Sequence, residues 1–193
     1  KYVCKDDFFD NIDSEIKAYL LGFLYADGYI SSDGRIGILL NEKDVEILEL
    51  IKEFIAPTSI IQHINYQNIK RNPQVKIRFR SKRLYKRLQE LGFTTDKTHT
   101  NCNILLKIPF QYKKDFIRGY TDGDGCIRFD KQGTWYKLGI TWCNGVPRIL
   151  EEIQSYFSQC RGHLHHINNY YTLSYEKKSD VLIICKNLYE GCT

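Results

Sequence analysis

From Ala18 to Leu24 the chain is almost entirely apolar, and the run closes at Asp27-Gly28. Asp13 and Ser14, just ahead of it, are residue types that cap a helix N-terminus, so the pattern predicts a helix ending at Asp27. Gly28 falls where helices commonly close through a left-handed residue. Alternating apolar and polar positions follow over 29–32 and 35–40, with Asp33-Gly34 between them, which signals a β-hairpin. Asn41 to Asp44 caps a second helix that carries Val45, Leu48, Ile51 and Ile55 on one face and stops at Pro57. Two further strands are predicted near 60–67 and 74–81, around a turn containing Arg71-Asn72-Pro73. A third helix over 82–91 stops at Gly92. The order is αββαββα.

The same order then recurs. A helix over 111–124 leads to strands near 126–130 and 135–143, a helix over 147–156, strands over 163–167 and 170–175, and a last helix over 179–189. Asp27 recurs as Asp124 and Leu48 as Leu150, so the second copy gains roughly five residues in its first hairpin, near 130–134, as insertions at hairpin tips should. The polar segment 94–109 carries little helix signal. The expected organisation is an N-terminal subdomain at 1–95, a linker at 96–110 and a C-terminal subdomain at 111–193, in an α+β fold with one antiparallel sheet per copy. Residues 1–10 look like a loosely attached lead-in.

With 42% hydrophobic residues in 193, there is ample material for a packed core, and disorder is excluded. No apolar run is long enough to span a membrane. Met is absent throughout, as in a piece trimmed from a longer precursor. Seven widely spaced cysteines without a Cys-x-x-Cys pair argue against a disulfide framework and a zinc site. They are expected to be buried free thiols in an intracellular, reducing compartment. The net charge of +5 is modest, but its distribution is uneven. Between Phe54 and Gln89 there is no acid, while Lys70, Arg71, Lys76, Arg78, Arg80, Lys82, Arg83, Lys86 and Arg87 all fall there. Segregated positive charge of this kind is the footprint of a polyanion binder.

The duplicated helices carry the chemistry. Gly22 and Ala26 stand four apart in one, Gly119 and Gly123 in the other, so each helix presents a stripe of small residues that allows close helix pairing. Paired helices would bring Asp27 and Asp124 together, and two adjacent carboxylates repel unless a cation lies between them. The negative ends of both helix dipoles add to that attraction. An all-oxygen, hydrated setting suits Mg²⁺ better than zinc. Paired aspartates next to a basic surface point to phosphodiester hydrolysis by metal-activated water.

Leu20 to Gly28 (LLGFLYADG) and Ile117 to Gly125 (IRGYTDGDG) resemble the two signature motifs of a LAGLIDADG homing endonuclease of the single-chain, two-motif type. The resemblance covers nearly the whole chain, because the αββαββα repeat is also the family's pattern. It implies a pseudo-symmetric monomer whose two sheets form a saddle over double-stranded DNA and which cleaves both strands of a long asymmetric site. It also implies that Asp27 and Asp124 hold Mg²⁺ or Mn²⁺ with help from the carbonyls of Ala26 and Gly123, and that Ca²⁺ binds without supporting cleavage. Lys97 matches the basic residue that family members place beside the active site. Its counterpart in the second copy would fall just past Thr193. Tyr25 stands where the second motif keeps Asp122, an acid we expect to be structural. Other uses of the same fold would be an intron RNA maturase or a DNA-binding protein that no longer cleaves.

Strand alternation assigns the DNA contacts. Arg35, His63, Asn65, Gln67, Lys76, Arg78 and Arg80 are the expected contacts in the first copy, and Arg128, Lys137, Thr141, His163, His165 and Thr172 in the second. Trp135 and Trp142 are expected in packing rather than base stacking.

Overall fold

The computed structural model describes residues 3–65, 72–94 and 103–192, with the side chains of Gln132 and Trp135 left out. It is α+β. Six helices are described: α1 (Glu15–Asp27), α2 (Val45–Phe54), α3 (Lys82–Leu91), α4 (Lys113–Asp124), α5 (Arg148–Tyr156) and α6 (Lys178–Tyr189). Strands β1 (Gly28–Ile30), β2 (Arg35–Asn41), β3 (Gln62–Ile64) and β4 (Gln74–Arg80) form one antiparallel sheet in the order β1-β2-β4-β3. Strands β5 (Gly125–Gln132), β6 (Trp135–Asn144), β7 (His163–Ile167) and β8 (Tyr170–Tyr175) form a second in the matching order β5-β6-β8-β7. The duplication therefore extends from the sequence to the strand order. The extra residues of the second copy do not form a longer loop: they lengthen β5 and β6, which turn at Gly133.

The chain forms two compact units. One contains residues 1–12 and 27–95, the other residues 13–26 and 96–193. Helix α1 thus packs with the second unit, apart from its last residue.

In the first unit, Ile36, Ile38, Leu40, Val75, Ile77 and Phe79 all turn to one face of the sheet and are buried there beneath α2 and α3. Residues 3–12 are not a loose lead-in. Phe8 and Phe9 are buried, and Lys5 N donates to Ile55 O at 2.8 Å. Arg87 of α3 donates to the carbonyls of Phe9 and Asp10 at 2.9 and 3.0 Å, and Arg83 pairs with the Asp10 carboxylate. Two of the nine cations in the basic segment therefore fasten the chain's own N-terminal segment. Helix α3 begins where Ser81 Oγ accepts from Leu84 N at 3.1 Å, a cap that stabilises by about 1 kcal/mol.

In the second unit, α5 and α6 cover Ile140, Trp142, Leu173 and Tyr175 of the sheet. Every residue of α1 from Ala18 to Ala26 is buried, so this stretch has no solvent face. It meets α4 backbone to backbone. A methyl group at Gly22 would strike the Phe116 carbonyl, 2.9 Å from its carbon and 3.0 Å from Tyr120 N. One at Gly119 would strike the Tyr19 carbonyl, 2.9 Å from its carbon and from Phe23 N. Only glycine permits this approach, which offsets the cost of about 0.5–1 kcal/mol for glycine inside a helix.

Gly119→Ala should therefore destabilise the protein by about 1–3 kcal/mol, despite alanine's better helix propensity. A thermal melt should show Tm falling by roughly 2–10 °C. An unchanged or raised Tm would contradict the contact.

Candidate nucleic-acid interface and metal site

Helix α4 delivers its C-terminus through a set of buried anchors. Thr121 Oγ1 donates to Ile117 O at 2.6 Å and accepts from Trp142 Nε1 at 2.9 Å, which ties the last turn to the C-terminal part of β6. Trp142 is thus a core residue, as its position predicts. The Tyr120 hydroxyl donates to Cys143 O at 3.4 Å and accepts from Asn144 Nδ2 at 3.1 Å. Burial holds this phenol above its usual pKa; the Asn144 contact opposes the shift and the charge of Asp124 adds to it. Asp124 is the last helical residue and is exposed, while Gly123 is half-buried. Asp27 is likewise the last residue of α1 and is half-exposed, with Ala26 buried before it. The chain passes from each helix directly into a strand. Gly28 already belongs to β1, and the described glycines with left-handed φ are Gly34, Gly92, Gly133 and Gly191, so the left-handed turn expected at Gly28 does not form.

The two acids of the second motif do different work. Asp122 accepts from Tyr19 Oη of α1 at 3.1 Å and from Tyr189 Oη of α6 at 2.6 Å, clasping three helices. Burial, and then the Asp122 charge, keep both phenols protonated. Asp122 is a structural acid. Its counterpart Tyr25 makes ring contacts with Phe116 and Tyr120, at 6.1 and 6.0 Å between centroids. Arg118, invisible to motif reasoning, lies over the Tyr19 ring at 4.8 Å and 3.5 Å from the buried carboxylate of Asp115. Desolvation, and then the charge of Glu15, raise the Asp115 carboxyl, while Lys114 and Arg118 oppose this.

Strand register separates the two faces of each sheet. In the first, Arg35 stands opposite Arg80, Gly37 opposite Arg78 and Leu39 opposite Lys76, all on the face away from the helices. Arg78 and Arg80 are exposed, Arg80 Nε donates to Asp33 O at 2.7 Å, and Lys76 lies 5.8 Å from the Tyr29 ring centroid. The expectation fails at His63. It pairs with Val75 on the helix side and contacts Glu42 Oε1 at 2.9 Å, while Gln62, opposite Lys76, occupies the open face instead. Asn65 lies just beyond β3 and is exposed. Gln67 and Lys97 lie outside the described residues. In the second sheet Arg128, Lys137, Thr141, His163, His165 and Thr172 all share the open face, as alternation predicts. Cys126 and Cys143 share it too, exposed rather than buried, and the described cysteines are all free thiols.

The donors at the helix ends are all oxygens. Each helix ends in a carboxylate, Asp27 on α1 and Asp124 on α4. Among the described residues no cluster of three or more His, Cys, Asp or Glu forms a closed cage. Carboxylate oxygens of this kind are the donor type that suits a hard, hydrated cation.

No family model matches the chain. No curated protein matches it either. Solved structures do. The LAGLIDADG homing endonuclease I-GzeII in complex with its DNA target matches over 89% of this chain and 83% of its own, at 12% identity and a TM-score of 0.62. I-SmaMI, bound to uncleaved DNA with calcium ions, matches over 89% and 84% at 13% identity and a TM-score of 0.60. I-DmoI, in complex with DNA and Mn, matches over 93% and 98% at 18% identity and a TM-score of 0.58. The chain has the LAGLIDADG homing endonuclease fold. The open sheet faces described above are the candidate interface for nucleic acid.

If those faces bind DNA, Gln62→Ala and Arg78→Ala should each weaken binding to a cognate duplex, and Arg78→Ala should lower the salt slope by about 1 if it contacts a phosphate. His63→Ala should leave affinity within about twofold, because the side chain points the other way. Fluorescence anisotropy across a salt series separates these. A larger loss from His63→Ala than from Gln62→Ala would refute the register.

Proposed function

We propose that this protein is a site-specific DNA endonuclease that makes a metal-dependent double-strand break at a long, asymmetric target. The observation that carries the reading is the duplicated helix. Gly22 and Gly119 are the contact points of α1 and α4, and each is followed five residues later by an aspartate, Asp27 and Asp124, that ends its helix. Each helix then feeds a sheet whose open face carries cationic, amide or hydroxyl side chains. The DNA and divalent ions in the structures of I-SmaMI and I-DmoI support the same reading.

Asp27 and Asp124 would hold Mg²⁺ or Mn²⁺, together with the carbonyls of Ala26 and Gly123 and the scissile phosphates. The metal supplies charge stabilisation at the phosphate and a water acidic enough to attack it at neutral pH. The residues of this chain supply the rest: the sheet faces fix the register of the duplex, and α1 and α4 hold the two carboxylates in place. Tyr120 and Thr121 anchor the Asp124 end, so the carboxylate presents a defined position rather than a mobile one. Lys97 is proposed to assist at the phosphate or the attacking water. Ca²⁺ is proposed to support binding but not cleavage. The protein is proposed to act as a monomer on double-stranded DNA in a reducing intracellular setting.

The test is incubation with a library of double-stranded targets and Mg²⁺, comparing wild type with Asp27→Asn and Asp124→Asn. Wild type should cut a small subset of targets, and either substitution should slow cutting by roughly 100-fold or more while calcium-supported binding persists. Cutting that survives Asp124→Asn would overturn the metal assignment. Tight binding of an intron RNA without cleavage of any DNA would replace the reading with a maturase.

A further inference from the structure

The two open faces are not chemically alike. On the first sheet, Arg35, Lys76, Arg78 and Arg80 share the face with Gln62 and Gln74. Arg35 pairs with Asp33 at 2.7 Å and Arg80 lies beside the same acid, while no ion pair engages Lys76 or Arg78 among the described residues. The face is therefore cationic and rich in paired donors, with Leu39 as an exposed aliphatic residue. On the second sheet the two cations are held by one acid: Lys137 Nζ is 3.3 Å and Arg128 a long 3.9 Å from the Glu176 carboxylate. Arg128 also reaches Thr141 Oγ1 at 3.4 Å, and Asp130 stands opposite Lys137 in register. His163, His165, Cys126 and Cys143 share this face, and hydroxyls and apolar groups make up most of the rest. Thr172 and Ser174 follow one another on the open face of β8, while Ile167 and Tyr170 stand opposite each other with 42% and 41% of their surface exposed.

These inventories suit different bases. Arg and Lys donate to the O6 and N7 of guanine, and Gln pairs with adenine N6 and N7. Threonine methyls and exposed apolar side chains instead fit the 5-methyl of thymine, and hydroxyls tolerate any base. The geometry points to a target of split composition: the stretch of duplex under the β1–β4 sheet contains specified guanines, read chiefly by Arg78 and Arg80, and the stretch under the β5–β8 sheet is rich in A·T pairs, selected through contacts of Ile167, Tyr170 and Thr172 with thymine methyls. This rests on the DNA-binding reading above and adds the sequence class of the substrate. It also assigns a division of labour, in which the first sheet supplies most of the electrostatic affinity and the second supplies shape and methyl recognition.

The experiment is selection of bound duplexes from a randomised library by the full chain in calcium, followed by sequencing, with wild type, Arg78→Gln and Tyr170→Ala. Arg78 and Tyr170 are both exposed, so neither substitution removes a core contact. Wild type should select one segment with specified guanines and another rich in A·T pairs. Arg78→Gln should exchange a specified guanine for adenine at one position of the first segment, with roughly a 5- to 150-fold change in preference there and no change in the second. Tyr170→Ala should relax the second segment alone. Two segments of equal composition, or an Arg78→Gln variant that loses affinity evenly for all sequences, would overturn the split. Enrichment of no duplex at all would instead sink the DNA-binding reading, and the split with it.

Discussion

The contact between α1 and α4 is the constraint on which the rest of the second unit depends. Two helix backbones meet at Gly22 and Gly119 with no room for a single methyl group on either side. This explains why α1, although it precedes the strands of the first unit in sequence, packs in the core of the second. Helices that touch through their backbones have their rotation and axial position fixed far more tightly than helices separated by flexible side chains, because interiors are bistable rather than continuously deformable. A site that needs a carboxylate placed to within a fraction of an ångström benefits from such a support.

Around that contact the chain spends polar groups on position. Asp122 gathers hydroxyls from Tyr19 and Tyr189, Thr121 links Ile117 to Trp142, and Tyr120 links Cys143 to Asn144. Each such hydrogen bond contributes only about 1 kcal/mol. Their common effect is to hold the last turn of α4 against the sheet, so that Asp124 leaves the helix at one place. The first unit uses its cations in the same two ways. Arg83 and Arg87 secure Phe9 and Asp10, while Arg78 and Arg80 stand on the open sheet face.

Much of this was legible in the sequence where one strong pattern acts alone. The boundaries of α3, β7 and β8 follow from capping and alternation, and Lys76, Arg78 and Arg80 share a face because a seven-residue strand fixes parity. The motif glycines announced the helix contact. The failures have physical causes. His63 sits on a three-residue edge strand, where a shift of one residue turns every side chain over and little hydrophobic pattern resists it. Phe8 and Phe9 lie among charged residues, so their burial depends on Arg83 and Arg87, about 75 residues away, a tertiary pairing with no local signal. The exposure of Cys126 could have been read, since it shares strand parity with Arg128; the general tendency of cysteine to be buried outweighed it.

The two helix-terminal aspartates are proposed to act on one metal. Electron paramagnetic resonance of Mn²⁺, titrated into the protein with a bound duplex, measures this directly. Asp27→Asn and Asp124→Asn should each weaken the same Mn²⁺ signal, and the double variant should not be the sum of two independent losses. Mn²⁺ binding that survives either single substitution unchanged would contradict it.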